Sequence, residues 1–123
     1  MLGPMIPTAP VLVHLCSQQD WCQAQRIGEL RPPSLREIGF VHLSTPQQVQ
    51  LPANRLYRGR GDLVLLCCDP QLLAAPVRWE PGVPDDPAAM VFPHLYGPLP
   101  VYAVTAVAPY RPGADGRFAA PDL

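Results

Sequence analysis

Residues 11–28 read VLVHLCSQQDWCQAQRIG and change character half-way. The first six, Val11 to Cys16, are a short apolar run of β-branched and large side chains, which predicts a strand. Alternation along that strand places His14 beside Leu12 and Cys16 on one face, with Val13 and Leu15 on the other. Ser17 then offers a side-chain oxygen to the first turn of a helix, Asp20 complements the positive end, and Gly28 supplies a stop. The pattern predicts a helix over Gln18 to Ile27 with Trp21, Ala24 and Gln25 on its inner side. A strand therefore feeds directly into a helix.

The same rhythm recurs outward from this unit. Pro32-Pro33-Ser34 opens a shorter helix through Leu35 to Ile38, closed by Gly39, and Phe40 to Ser44 (FVHLS) reads as a strand with His42 on the face of Phe40 and Ser44. Thr45 caps a following helix with Pro46 at its first position, and that helix is expected to kink or restart at Pro52 and to reach Tyr57. Gly59 and Gly61 bracket Arg60 in a turn. Asp62 to Asp69 (DLVLLCCD) is the most apolar stretch and is expected to be the central strand. Val77 to Glu80 and Val101 to Ala108 read as further strands, and Pro81 to Pro93 as a long loop of the kind that covers a site. Residues 1–10 read as an extended arm, 11–110 as one domain, and 111–123 as a tail. Short strands mixed with two or three short helices define an α+β domain.

Composition agrees with this outline. The chain has 123 residues, enough for one domain, and its 18 prolines and 9 glycines exclude a bundle of long helices. Apolar residues make up 48% and charged residues 15%, which favours a packed core over a disordered chain. All nine basic residues are arginine, and ten acidic residues bring the net charge to −1, so a general nucleic-acid binder is disfavoured and RNA is an unlikely partner. No apolar run has the length of a membrane span and the first ten residues lack the pattern of a signal peptide, so a cytoplasmic protein without a membrane partner is expected. Cys16, Cys22, Cys67 and Cys68 form no Cys-x-x-Cys motif and read as buried free thiols, with Cys67 and Cys68 on opposite faces of their strand.

The three histidines carry the strongest functional signal. They stand in VLVHLCS, GFVHLST and VFPHLYG, each followed by leucine. A single imidazole in an apolar strand is usually a hydrogen-bonded structural residue, but three converging imidazoles make a site. Two chemistries fit. Three neutral histidines could hold a metal in a hydrolase, although intervals of 27 and 51 intervening residues match no compact ligand motif. Alternatively, His14, His42 and His94 could line a nucleotide pocket, in which the helix starts at Ser17 and Thr45 offer N–H groups to anions and Tyr96 stacks on a ring. Arg55, Arg58 and Arg60 are either a solvated surface trio or a phosphate clamp. Glu80 reads as a surface strand end.

The strings HLCSQQDW, RPPSLREIGFVHLSTPQQV, NRLYRGRGDLVLL, VRWE and FPHLYGPLP closely resemble a bacterial domain-of-unknown-function family, number nine-five-two, over roughly Val11 to Tyr110. That family in turn looks like a compact relative of the ADP-ribosyltransferase fold and is similar to the NAD-binding lobe of RNA 2′-phosphotransferases. The resemblance implies a split, bent β-sheet clasping NAD as cofactor. It also implies that His14 binds a ribose hydroxyl and that His42 with Ser44 lies beside the nicotinamide ribose. His94 stands where many transferases of this fold carry a catalytic glutamate. His42 or His94 would serve as general base, with Ser17, Ser44, Thr45, Arg58, Arg60 and Tyr96 completing the nucleotide site. The expected function is NAD or ADP-ribose binding with transfer of ADP-ribose to an acceptor; a non-catalytic nucleotide-binding module and a metal-dependent hydrolase are the alternatives.

Overall fold

A computed structural model describes residues 11–82 and 90–123. The expected N-terminal arm lies outside the described residues, as does the middle of the expected covering loop, 83–89. The chain runs β1 (Leu12–Ser17), α1 (Gln18–Ile27), β2 (Glu29–Leu30), α2 (Pro33–Ile38), β3 (Val41–His42), α3 (Gln50–Leu56), β4 (Leu63–Cys68), β5 (Val77–Pro81), β6 (Val91–Leu95), β7 (Leu99–Pro100) and β8 (Val104–Tyr110). The strands form antiparallel sheets in the orders β1-β4-β8, β2-β7 and β3-β6-β5. The protein is thus α+β, with open antiparallel sheets and, among the described residues, three α-helices.

Strand β4 is the hub. All six of its residues are buried, because both faces of its sheet are covered. Leu66 and Cys68 join Leu12, Cys16, Ala24, Val41 and Leu95 in one core. Leu63, Leu65 and Cys67 join Val13, Val49, Ala53, Tyr110 and Phe118 in the other. Period-2 alternation thus divides adjacent Cys67 and Cys68 between two cores. Burial pushes the Cys16 and Cys68 thiols up to about 12, so neither is a nucleophile at neutral pH. Cys22, in contrast to the expectation of burial, is exposed.

Local signals mark the helices well. The Ser17 hydroxyl accepts from the Asp20 N–H at 3.0 Å, and Gly28 ends α1 at φ 101°, a conformation costly for any residue with a Cβ. Ala24 faces the core as predicted, whereas Gln25 is exposed. Four expectations need correction. The 40–44 strand shrinks to Val41–His42, because Ser44 leaves that sheet to bridge Val13 of β1. Thr45 opens a hydrogen-bonded turn and not a helix, and α3 starts at Gln50, with Pro52 in its first turn, where a missing N–H costs nothing. The expected loop ends early, because Val91–Leu95 forms the middle strand of β3-β6-β5 despite Pro93. Finally, a 3₁₀ turn over Val101–Ala103 delays the last strand to Val104.

Residues beyond Tyr110 form no helix or strand yet close the second core. Phe118 is buried and its ring lies 4.9 Å from that of Tyr110. Asn54 clamps Phe118 from both sides, donating to its carbonyl at 2.9 Å and accepting from its N–H at 2.7 Å. Removing this ring leaves a cavity under β4. Phe118→Ala is expected to lower unfolding free energy by about 3 kcal/mol in denaturant titration; a change within experimental error would mean that the segment contributes nothing to the core.

Candidate functional site

The three histidines reach one place by different routes. His14 sits on β1, His42 on β3 and His94 on β6, and antiparallel pairing of β3 with β6 sets His42 directly opposite His94. The two rings meet edge to face at 5.6 Å. His14, His42 and His94 all line a cleft of about 540 Å³. That volume lies in the range of small-molecule binding sites.

Each imidazole has a distinct state. His14 is buried, and its Nδ1 lies 2.7 Å from the His42 carbonyl. A carbonyl only accepts, so Nδ1 carries the proton and Nε2 is the acceptor of the neutral ring. Burial dominates over the raising effect of that bond and brings the His14 pKa down to about 4. His42 is exposed in the cleft, and its pKa is lowered by partial desolvation, then by His94 and Arg55. His94 is 2% exposed and stacks on Phe40 at 3.9 Å with the planes 13° apart. Its Nδ1 is 3.0 Å from Glu80 Oε1, while its Nε2 is buried without a partner among the described residues. Such an orphan costs roughly 1–3 kcal/mol, a cost that a hydrogen-bonding ligand would remove.

Charge in the cleft is mixed. Arg31, Arg55 and Arg60 line it together with Asp20 and Glu29. Arg31 pairs with Glu29, and Arg60 pairs with Asp62 through both terminal oxygens. Arg55 has no carboxylate partner among the described residues, which leaves its guanidinium available to an anion.

Of the residues expected at the site, His14, Ser17, His42, Ser44, Arg60 and His94 line the cleft, whereas Thr45, Arg58 and Tyr96 do not. Thr45 is occupied in its turn, where its hydroxyl accepts from the Gln48 N–H at 3.2 Å. Arg58 is exposed away from the cleft. Tyr96 lies beneath the Arg78 guanidinium, and its hydroxyl donates to Glu80 at 2.6 Å, so one ring face and the hydroxyl are already engaged outside the cleft. At the start of α1 the Gln18 N–H is already bonded to the Asp62 carbonyl and the Asp20 N–H to Ser17. The expected anion site at Ser17 therefore has few donors left. Among the described residues no group of three His, Cys, Asp or Glu side chains could hold a metal ion. Sequence reasoning missed Arg31 and Phe92 as lining residues and the contact of Glu80 with His94, all of which depend on non-local strand pairing.

The family model described as protein of unknown function (DUF952) matches residues 15–107. The chain belongs to that family. The matched stretch of this DUF952 protein contains His42 and His94 and begins one residue after His14. The crystal structure of protein CC0527 from Caulobacter crescentus is 32% identical and superposes with a TM-score of 0.74, covering 89% of this chain and 93% of that one. Its solution NMR structure, also 32% identical, covers 87% and 90% at a TM-score of 0.72. A search of curated proteins finds no match. Among the described residues, no helix is long and apolar enough to cross a membrane.

The depressed His14 pKa makes a pH-dependent contribution to stability. A folded value of about 4 against 6.5 for an unperturbed imidazole means that the unfolded chain binds the extra proton between those values. The stabilisation is full above pH 6.5 and is lost as pH falls toward 4, to the extent of roughly 3 kcal/mol. His14→Gln is expected to flatten that part of the stability profile in denaturant unfolding at several pH values; an unchanged slope would contradict the buried neutral state.

Proposed function

We propose that this cleft binds NAD or ADP-ribose and that the domain transfers ADP-ribose from NAD to an acceptor hydroxyl. The observation carrying this reading is the convergence of His14, His42 and His94, from three strands of two sheets, on one cleft that also holds Arg55, which has no carboxylate partner among the described residues. The motif order His14, Trp21, Gly28, His42-Leu43-Ser44, which resembles that of the NAD-binding lobe of RNA 2′-phosphotransferases, supports the reading, as does the separation of the strands into two main sheets. His14 Nε2 and the Ser44 hydroxyl are suited to ribose hydroxyls, and Arg55 to a diphosphate.

In the transfer step the acceptor oxygen attacks C1′ of the nicotinamide ribose. The N-glycosidic bond breaks and nicotinamide leaves as a neutral molecule with the bonding pair. The acceptor's proton passes to a neutral imidazole, and catalysis consists mostly of orienting the two reactants. RNA as acceptor is disfavoured by the net charge of −1.

A second reading, binding without transfer, is favoured by the place of Glu80. That carboxylate lies behind His94 and does not line the cleft, so it is not positioned to face a developing ribosyl cation.

Calorimetric titration with NAD and with ADP-ribose tests both readings at once. Binding is expected for each ligand, and Arg55→Ala is expected to weaken it by about tenfold, the effect of losing one charge-assisted contact. Release of nicotinamide from NAD then separates transfer from binding alone. No heat with either ligand at millimolar concentration would contradict the nucleotide reading altogether.

A further inference from the structure

The alternation of β5 suggests a solvent-facing strand end at Glu80, but its Oε1 accepts two hydrogen bonds. The His94 Nδ1 donates at 3.0 Å and the Tyr96 hydroxyl at 2.6 Å. Register explains the meeting. Glu80 pairs with Phe92 across β5 and β6, and His94, two residues further on, lies on the same face. Phe40 holds the imidazole flat and the Arg78 guanidinium sits 4.9 Å over the Tyr96 ring, so both donors to Glu80 are braced.

The chemistry of this arrangement is directional. An ionised carboxylate accepts and does not donate, so Nδ1 must carry a proton. The Tyr96 bond and then the His94 bond hold the Glu80 carboxyl below the usual carboxylate range, consistent with its remaining ionised. With Nδ1 protonated, a neutral imidazole has a bare Nε2. That nitrogen is the one polar atom of His94 without a partner among the described residues, and His94 lines the cleft.

We infer that Glu80, held in place by Tyr96, is a positioning residue that fixes His94 in its Nδ1–H tautomer and so reserves the Nε2 lone pair for a ligand hydroxyl in the cleft. For the identity of that hydroxyl the inference rests on the ADP-ribose transfer reading; the tautomer does not. Within that reading, His94 and not the more exposed His42 takes the acceptor's proton. The O–H bond breaks, its proton moves to Nε2, the oxygen bonds to C1′ as the N-glycosidic bond breaks and neutral nicotinamide leaves with the bonding pair, and the resulting imidazolium keeps its Nδ1–H on the Glu80 carboxylate. The arrangement follows the general logic of a base oriented by a buried or half-buried acid partner.

Side-chain 15N NMR of ligand-free protein at about pH 8, where unperturbed imidazoles are neutral, reads the tautomer directly. His94 is expected as the Nδ1–H form in the unaltered protein. Glu80→Gln, whose amide oxygen still accepts, is expected to keep that form, and Glu80→Met to shift it toward Nε2–H while the backbone spectrum stays folded. An Nε2–H ring in the unaltered protein, or a tautomer unmoved by Glu80→Met, overturns the inference. In nicotinamide release from NAD, Glu80→Met is expected to lower kcat by roughly tenfold or more with KM nearly unchanged, and Glu80→Gln to recover part of the loss. Equal kcat values for the unaltered and Glu80→Met proteins would overturn the proton-acceptor role. A fixed tautomer in a protein that binds no NAD would leave the positioning intact and discard the ligand class.

Discussion

Two sheets that share no full strand pair are held together where β1 meets the end of β3. Val13 and Ser44 exchange backbone hydrogen bonds at 2.8 and 2.9 Å, and beside them the His14 ring donates to the His42 carbonyl at 2.7 Å. These three bonds join β1-β4-β8 to β3-β6-β5, and the cleft lies along the join. Because His14 is buried, its bond to the carbonyl satisfies a ring nitrogen shielded from water. The same bond fixes the tautomer of His14. A structural tie and the chemical character of the site therefore share one contact.

The rest of the domain keeps that tie in place. Strand β4, buried on both faces, anchors β1 from the other side, while α3 and the segment around Phe118 seal the second core. On the second sheet the His42–His94 pairing, the Phe40 stack and the Glu80 carboxylate hold the remaining two imidazoles. Each histidine thus has one nitrogen or one face committed to the fold. What is left over faces a common space, which is how a small domain with few charges can assemble a polar site without dedicating separate elements to it.

Features governed by local chemistry were legible in the sequence. The Ser17 cap, the Gly28 and Gly39 stops and the apolar run of β4 depend on neighbours within a few residues, and their reading matches the structure closely. Features governed by distant pairing were not. The reading of Pro81 to Pro93 as a loop misses the start of β6 at Val91: β3 is only two residues long and asks of Pro93 only its carbonyl, which accepts from the Leu43 N–H at 3.0 Å. Tyr96 reads as a stacking platform, but β5 lies close enough to engage its hydroxyl and one ring face. Convergence of the three histidines could be suspected from their similar settings, whereas the role of Glu80 required the β5–β6 register.

On the proposed function, the space between the three histidines is where the ligand binds. Titrating 15N-labelled protein with ADP-ribose and following backbone amide shifts tests it residue by residue. Saturable shifts are expected to concentrate at His14, His42 to Ser44, Arg55 and His94, with β8 and the Phe118 segment unmoved. Saturable shifts confined to surfaces away from these residues, or no shifts at millimolar ADP-ribose, would contradict it.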